Sequence, residues 1–190
     1  MNIKNFKIYG ERCSGTNYIE ELKNKNIKIN NITKTWTYGS KHFFGFDNLD
    51  NSDNTLFIGI IRDPHEWANS LFKKNIHFAD NLRNNSKLFL QNEWYSYNDK
   101  NSGIKDGKEI MEDRNIYSKS RYKNIFEMRY TKTKFLIEDM PKLVKNYIFI
   151  KYEDLINIFN KKLNLIKNKF NLKIKNINYH QNIVKYKGKG

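Results

Sequence analysis

The sequence is poor in everything that braces a small secreted or zinc-dependent domain. It has one cysteine, Cys13, so no internal disulfide can form and no CxxC or Cys/His zinc pattern exists. That suits a reducing compartment and does not require an oxidising one. With two prolines, Pro64 and Pro141, and nine glycines there is no Pro/Gly linker, and no internal repeat. No apolar run approaches the ~20 residues of a membrane span. Lys4 and Lys7 interrupt the N-terminal segment where a signal peptide needs an apolar stretch. The expectation is a soluble, intracellular chain, and its 190 residues fit one domain.

Acids are scarce as well: 20 Asp and Glu face 35 Lys and Arg, a net charge of +15 and a pI near 9.7. Charge of that sign favours an anionic partner without naming it. Two thirds of the excess sits in residues 141–190, where twelve lysines meet only Glu153 and Asp154. Lysines outnumber arginines 29 to 6, and Asn and Ile are abundant too, so single lysines carry little information. Lys161, Lys162, Lys167 and Lys169 read as the solvated face of a helix; Lys185, Lys187 and Lys189 are left in the tail. With 38% hydrophobic and 15% aromatic residues, a core is available despite a mean hydropathy of -0.83.

Apolar patterning alternates strands with helices. Ile3, Phe6, Ile8 and Tyr9 read as a strand entering Gly10, and 16–25 as the helix that follows. A second strand is expected within 27–36, before a loop from Gly39 to Phe46. Leu56 to Ile61 is a continuous apolar run, the signature of a strand covered on both faces. Asp63 then reads as a helix cap with Pro64 in the first turn. Residues 79–115 are polar and Asn-rich and read as an insertion or lid. A long helix is expected over about 117–139, stopping near Pro141, with Tyr122, Phe126, Tyr130 and Phe135 on its core side. Tyr147 to Ile150 is another buried strand, and Leu155, Ile158, Phe159, Leu163, Ile166 and Phe170 recur at helical spacing after it. The fold class is α/β: three layers, P-loop-like, with a central mainly parallel sheet flanked by helices in a single domain over 1–190, and 172–190 as a C-terminal tail. In such sheets ligands bind at the carboxyl ends of strands.

The segment after the first strand is Gly10-Glu11-Arg12-Cys13-Ser14-Gly15-Thr16-Asn17. Two glycines separated by four residues, between strand and helix, form the frame of a phosphate loop, with the helix N–H groups free for an anion. Thr16 stands where a nucleotide hydrolase needs Lys, and Asn17 where it needs a magnesium-binding hydroxyl. ATP or GTP hydrolysis, and nucleotide kinase chemistry with it, is disfavoured. After the buried strand come Arg62-Asp63-Pro64 and, two helical turns on, Ser70. Arg at a strand end beside a hydroxyl is a charge-assisted phosphate clamp, although Asp63 or Glu66 can pair with Arg62 instead.

Together these segments resemble the sulfotransferase family that uses 3′-phosphoadenosine 5′-phosphosulfate (PAPS). Gly10–Asn17 is similar to its 5′-phosphosulfate loop, G-x-x-[KR]-[ST]-G-T-[TN]. Arg62 and Ser70, with Pro64 between, resemble its 3′-phosphate signature, and Lys151-Tyr152-Glu153-Asp154-Leu155 its strand-ending "YEDL". Lys185-Tyr186-Lys187-Gly188 has a weaker likeness to a C-terminal "RKG" segment that closes over the 3′-phosphate, with Lys187 and Gly188 as contacts. The likeness implies that Gly10, Arg12, Cys13, Ser14, Gly15, Thr16 and Asn17 hold the phosphosulfate, and that Tyr18 stacks on adenine with Tyr152 at its edge. Lys41-His42 resembles the family's catalytic K-x-H loop at adjacent spacing; it implies Lys41 on the leaving oxygen and His42 as the base for a hydroxyl or amine acceptor. Cys13 stands where many members have Lys or Arg, with Arg12 one residue early as the implied sulfonate contact. The resemblance calls for no metal. The acceptor is not legible, and its pocket is expected from 43–48, 79–115 and the tail. The rival readings are a nucleic-acid or polyanion-binding module, held less favourable, and a catalytically inactive nucleotide-binding relative.

Overall fold

Six buried residues in succession, Thr55 to Ile60, need cover on both faces, and the sheet supplies it. In the computed structural model, which describes residues 3–74, 77–78, 82–98 and 107–173, they form β3 (Thr55–Ile61) in the middle of a four-stranded sheet. β1 (Asn5–Tyr9), β2 (Asn30–Asn31) and β4 (Tyr147–Lys151) complete it in the order β2-β1-β3-β4, all parallel. The α/β class is therefore as expected, and the second strand, although within 27–36, is only two residues long.

Register sorts the side chains by face. Phe6, Ile8, Leu56, Ile58, Ile60, Ile148 and Ile150 point to one side, where Ile19 and Leu22 of α1 (Thr16–Asn26) meet them. Leu155 of α6 (Tyr152–Asn157) and Leu163, Ile166 and Phe170 of α7 (Phe159–Phe170) join the same cluster. The expected lysine face of α7 is exposed at Lys161, Lys167 and Lys169, and Lys162 pairs with Asp154 at 2.8 Å. Ile158 departs from its expected place: 41% exposed, it falls in the break between α6 and α7. The opposite face of the sheet carries Tyr9, Phe57 and Tyr147 against Phe44, Phe135, Leu136 and Met140.

Lys7 lies on that second face, buried. Its ammonium donates to the carbonyls of Thr35 at 2.9 Å and Gly39 at 2.6 Å, gathering the 32–39 loop onto β1. Burial lowers its pKa to about 8. α2 (Pro64–Lys74) starts as expected, with the Asp63 carboxylate accepting from the His65 and Glu66 N–H groups, both at 3.0 Å.

The expected long helix over 117–139 is corrected. Tyr122 is drawn into an antiparallel bridge with Trp94, and Asn124 caps α4 (Ile125–Lys134) by accepting from the N–H groups of Phe126 and Glu127. The helical path then runs past Pro141, because a π-helical turn, Phe135–Asp139, precedes α5 (Met140–Leu143) and the ring sits in α5's first turn. Of the four aromatics expected on the core side, Tyr122 and Phe135 are buried, whereas Phe126 and Tyr130 are 57% and 69% exposed.

The described part of 79–115 is built into the body of the molecule. Phe78, Leu82, Trp94 and Phe89 of α3 (Ser86–Gln91) pack with Trp67 and Leu71 of α2 and with Tyr122, Ile125 and Met128. Trp94 is fully buried, edge-on to Phe78 at 4.8 Å and to Phe89 at 5.7 Å. Its truncation, Trp94→Ala, is expected to cost about 3–5 kcal/mol in urea unfolding, the range for a large buried aromatic; a loss under about 1 kcal/mol would show that this cluster does not support the fold.

Candidate functional site

The order of the strands fixes where a ligand fits. From β1 the chain crosses by α1 to β2 on one side and returns to β3 on the other, so the sheet reverses direction at β1. A crevice outside the carboxyl ends of β1 and β3 follows from that reversal. The loop 10–15 and Arg62 lie at those two ends.

Gly10 leaves β1 with no room for a side chain: a Cβ would stand 2.7 Å from the Ile60 carbonyl and from Ser14 Oγ. The loop closes on itself, since Ser14 donates from its N–H at 3.1 Å and its hydroxyl at 2.6 Å to the Glu11 carbonyl. Gly15 sits at φ 95°, ψ 15°, and no side chain caps the N-terminus of α1. The N–H groups of the first turn, Thr16 to Tyr18, therefore have no intrahelical acceptor, as an anion site requires. Tyr152, at the end of β4, lies against Gly15 so closely that a Cβ there would be 2.3 Å from its ring. Tyr18 meets the same ring edge-on at 5.6 Å, and the Arg62 guanidinium stands over it at 5.2 Å. Tyr152 thus joins the ends of three strands.

Cys13 adopts a left-handed conformation, φ 65°, and its thiol donates to the Ser70 carbonyl at 3.6 Å. This contact brings Ser70 of α2 beside the loop. Burial raises the thiol's pKa, so Cys13 is held as a neutral packing residue. Arg62 pairs with Glu66 at 3.1 Å, the alternative partner foreseen for it.

Lys41 and His42 arrive from the 32–39 loop that Lys7 gathers. The Lys41 ammonium donates to Asn17 Oδ1 at 2.5 Å and lies 3.4 Å from Glu20, over the first turn of α1; burial lowers its pKa, opposed by Glu20. Gly10 N–H donates to the Lys41 carbonyl at 3.0 Å, and His42 Nδ1 lies 2.8 Å from the Gly10 carbonyl. A carbonyl can only accept, so Nδ1 carries the proton and Nε2 is left as the acceptor nitrogen. Burial drives the imidazole pKa down to about 3, helped by Lys41, Arg12 and Lys132, so the ring is neutral at pH 7. A cavity of about 550 Å³ opens beside it, walled by Trp36, Phe43 and Ile110 with Lys41, His42 and Glu112. Of the stretches 43–48 and 79–115, Phe43 and Asn98, Glu109, Ile110 and Glu112 line it.

Arg12 is placed differently from its implied role. Its guanidinium donates to Ser96 Oγ at 2.6 Å, lies 3.4 Å from Asp113, and is surrounded by the rings of Phe43, Phe78 and Trp94 at 5.6–5.7 Å. It is an anchor for the packing of 82–98 and 107–115. Lys187 and Gly188 lie outside the described residues.

Four site residues were absent from the sequence reading. Glu11, inside the loop motif, is buried against Arg129 at 2.5 Å, and burial pushes its carboxyl up to about 7 against the pull of Arg129. Arg129 also donates to the Arg62 carbonyl and lies over Trp67. Asp113, fully buried, accepts from Lys132 and Ser96. Only the position of Glu11 between two loop glycines could have signalled any of these.

Comparison of the chain with protein-family models, with curated proteins and with solved structures finds no match. Gly15→Ala is expected to destabilise the protein by roughly 1–3 kcal/mol from the left-handed backbone alone, with the Tyr152 clash in addition. Urea unfolding checks it, and wild-type stability in the variant would mean the Gly15–Tyr152 contact is not formed.

Proposed function

We propose that this chain is a sulfotransferase of P-loop-like fold that moves a sulfuryl group from PAPS to a hydroxyl or amine of a small-molecule acceptor. The observation that carries the reading is the bond from His42 Nδ1 to the Gly10 carbonyl. It ties a neutral imidazole, with its acceptor nitrogen fixed, to the first residue of the phosphate loop. A base locked to an anion loop suits group transfer and has no use in simple anion binding.

In this reading the N–H groups at the start of α1, with Thr16, hold the 5′-phosphosulfate, while Ser14, buried and bonded to the Glu11 carbonyl, departs from its implied contact and braces the loop. Arg62 exchanges Glu66 for the 3′-phosphate beside Ser70. Tyr18 stacks on the adenine, with Tyr152 at its edge. His42 Nε2, whose basicity burial lowers and the bound polyanion raises, takes the acceptor's proton as the acceptor oxygen or nitrogen attacks sulfur, and the bond from sulfur to the bridging oxygen breaks. Lys41 offsets the charge left on the departing phosphate. Arg12, engaged with Asp113, shapes the loop and does not touch sulfonate. The cavity beside His42 has the volume of a drug-sized ligand, hence the small-molecule acceptor.

A second reading has its own observation. Phe126 and Tyr130, four residues apart on α4, are exposed near Lys123 and Lys134, the makings of a stacking platform for single-stranded nucleic acid. Binding that falls steeply with salt, is lost in Phe126→Ala/Tyr130→Ala and exceeds binding to heparin would favour it.

PAPS and its desulfated product are both expected to raise the melting temperature, and a flat response to both rejects the sulfotransferase. Arg62→Ala should weaken product binding roughly tenfold or more, the worth of a hydrogen bond to a charged group. His42→Ala should leave that binding intact and lower transfer by roughly 10²–10⁴, the usual contribution of a general base.

A further inference from the structure

The base is held at both ends of its residue. Its ring is fixed to the Gly10 carbonyl at 2.8 Å, and its own carbonyl accepts from the Lys132 ammonium at 2.9 Å. Lys132 projects from α4 and is 3% exposed. Its second partner is Asp113, which also accepts from Ser96 and faces Arg12 of the phosphate loop at 3.4 Å. The circuit closes: Gly10, Arg12, Asp113, Lys132, His42 and back to Gly10. Every side chain in it is buried or nearly so.

We infer that Lys132, oriented by Asp113, is the positioning residue that fixes His42 in the Nδ1–H tautomer with Nε2 free to accept a proton. Free neutral histidine has no such constraint, and which nitrogen is protonated in a protein is set by the hydrogen bond the other ring atom makes. That bond needs the 41–42 backbone to sit where the ring reaches Gly10. Two contacts from outside the loop hold that backbone, Gly10 N–H to the Lys41 carbonyl and the Lys132 ammonium to the His42 carbonyl, beside the local bond from His42 N–H to Ser40 Oγ at 3.3 Å. The ammonium has donors for both the carbonyl and Asp113, and it lies over the rings of Phe43 and Phe44, 5.7 and 5.6 Å from their centroids. Asp113 keeps this cation in place, and Ser96 and Arg12 keep Asp113 in place. The role of Lys132 as a base-positioning group rests on the sulfotransferase reading; the tautomer itself does not.

The test is ¹⁵N-detected NMR of histidine-labelled protein without nucleotide, with His42 assigned from a His42→Gln spectrum. Wild type is expected to show the neutral Nδ1–H pattern for His42. Lys132→Gln should lose that pattern and show the Nε2–H form or a mixture, while Lys132→Arg, which keeps charge and donors, should restore it. Should Lys132→Gln not fold, Ser96→Ala, which loosens Asp113 without removing a charge, is read in the same way and should weaken the pattern. An Nδ1–H pattern unchanged in Lys132→Gln, or in Ser96→Ala where that variant stands in, overturns the inference. Failure of wild type to bind PAPS or its product overturns the sulfotransferase reading alone and leaves the tautomer measurement decisive for Lys132.

Discussion

A carboxylate sealed from water, that of Asp113, is the constraint on which the upper end of the molecule depends. An isolated buried carboxylate is too costly to keep ionised, and pairing makes it tolerable only while each partner stays in place. Here the partners come from three separate stretches of chain: Arg12 from the phosphate loop, Ser96 from the segment before the 107–115 stretch, and Lys132 from α4. None can move without stranding a charge. The shape of 10–15, the packing of the described residues 82–98 and 107–115 and the seat of His42 are therefore one structural decision. Removing a partner of such a group costs about 3–5 kcal/mol, a large fraction of the stability of an ordinary domain.

The same logic reassigns the positive charge. Each cation at the site is paired with a carboxylate: Arg12 and Lys132 share Asp113, Arg129 has Glu11, Lys41 has Glu20 and Arg62 has Glu66. Arg129 and Lys132 are committed deep in the protein, whereas the Arg62–Glu66 pair reaches solvent and is weak enough to be exchanged for a phosphate. The face of α7 with its four lysines adds long-range attraction that salt screens within a Debye length. Bulk charge and site charge are separate populations.

What the sequence made legible is what obeys local rules. The apolar run at 56–61, the Asp63 cap, the stripe Leu163–Ile166–Phe170 and the glycine frame 10–15 each follow from spacing within a few residues, and each stands in the fold. What stayed hidden is non-local. Glu11 and Arg129 are 118 residues apart, and Lys132 and Asp113 are 19 apart; a charged residue read alone defaults to the surface. α4 misled for a related reason. Helical spacing in Tyr122, Phe126, Tyr130 and Phe135 reads as one stripe, but Tyr122 belongs to a bridge with Trp94, and Phe126 and Tyr130 lie on the outer side. Pro141 looked like a stop because proline cannot continue a regular α-helix; the π turn before it gives the chain a place to absorb the ring.

Cys13 shows why the loop manages without the cation expected at its position. At φ 65° the side chain turns toward α2, where the thiol reaches the Ser70 carbonyl and packs beside the Trp67 cluster. A lysine or arginine placed there would have to bury its stem among those aromatics and desolvate its head. Under the proposed function, charge for an anion at the start of α1 would then come from elsewhere. The backbone supplies part, through uncapped N–H groups and the helix dipole. Lys41 supplies more, carried over the first turn by a loop that Lys7 fastens to β1. Arg62 arrives from the end of β3. The loop's own arginine, Arg12, is spent on Asp113, and the loop is held in shape from behind while its neighbours provide the charge in front.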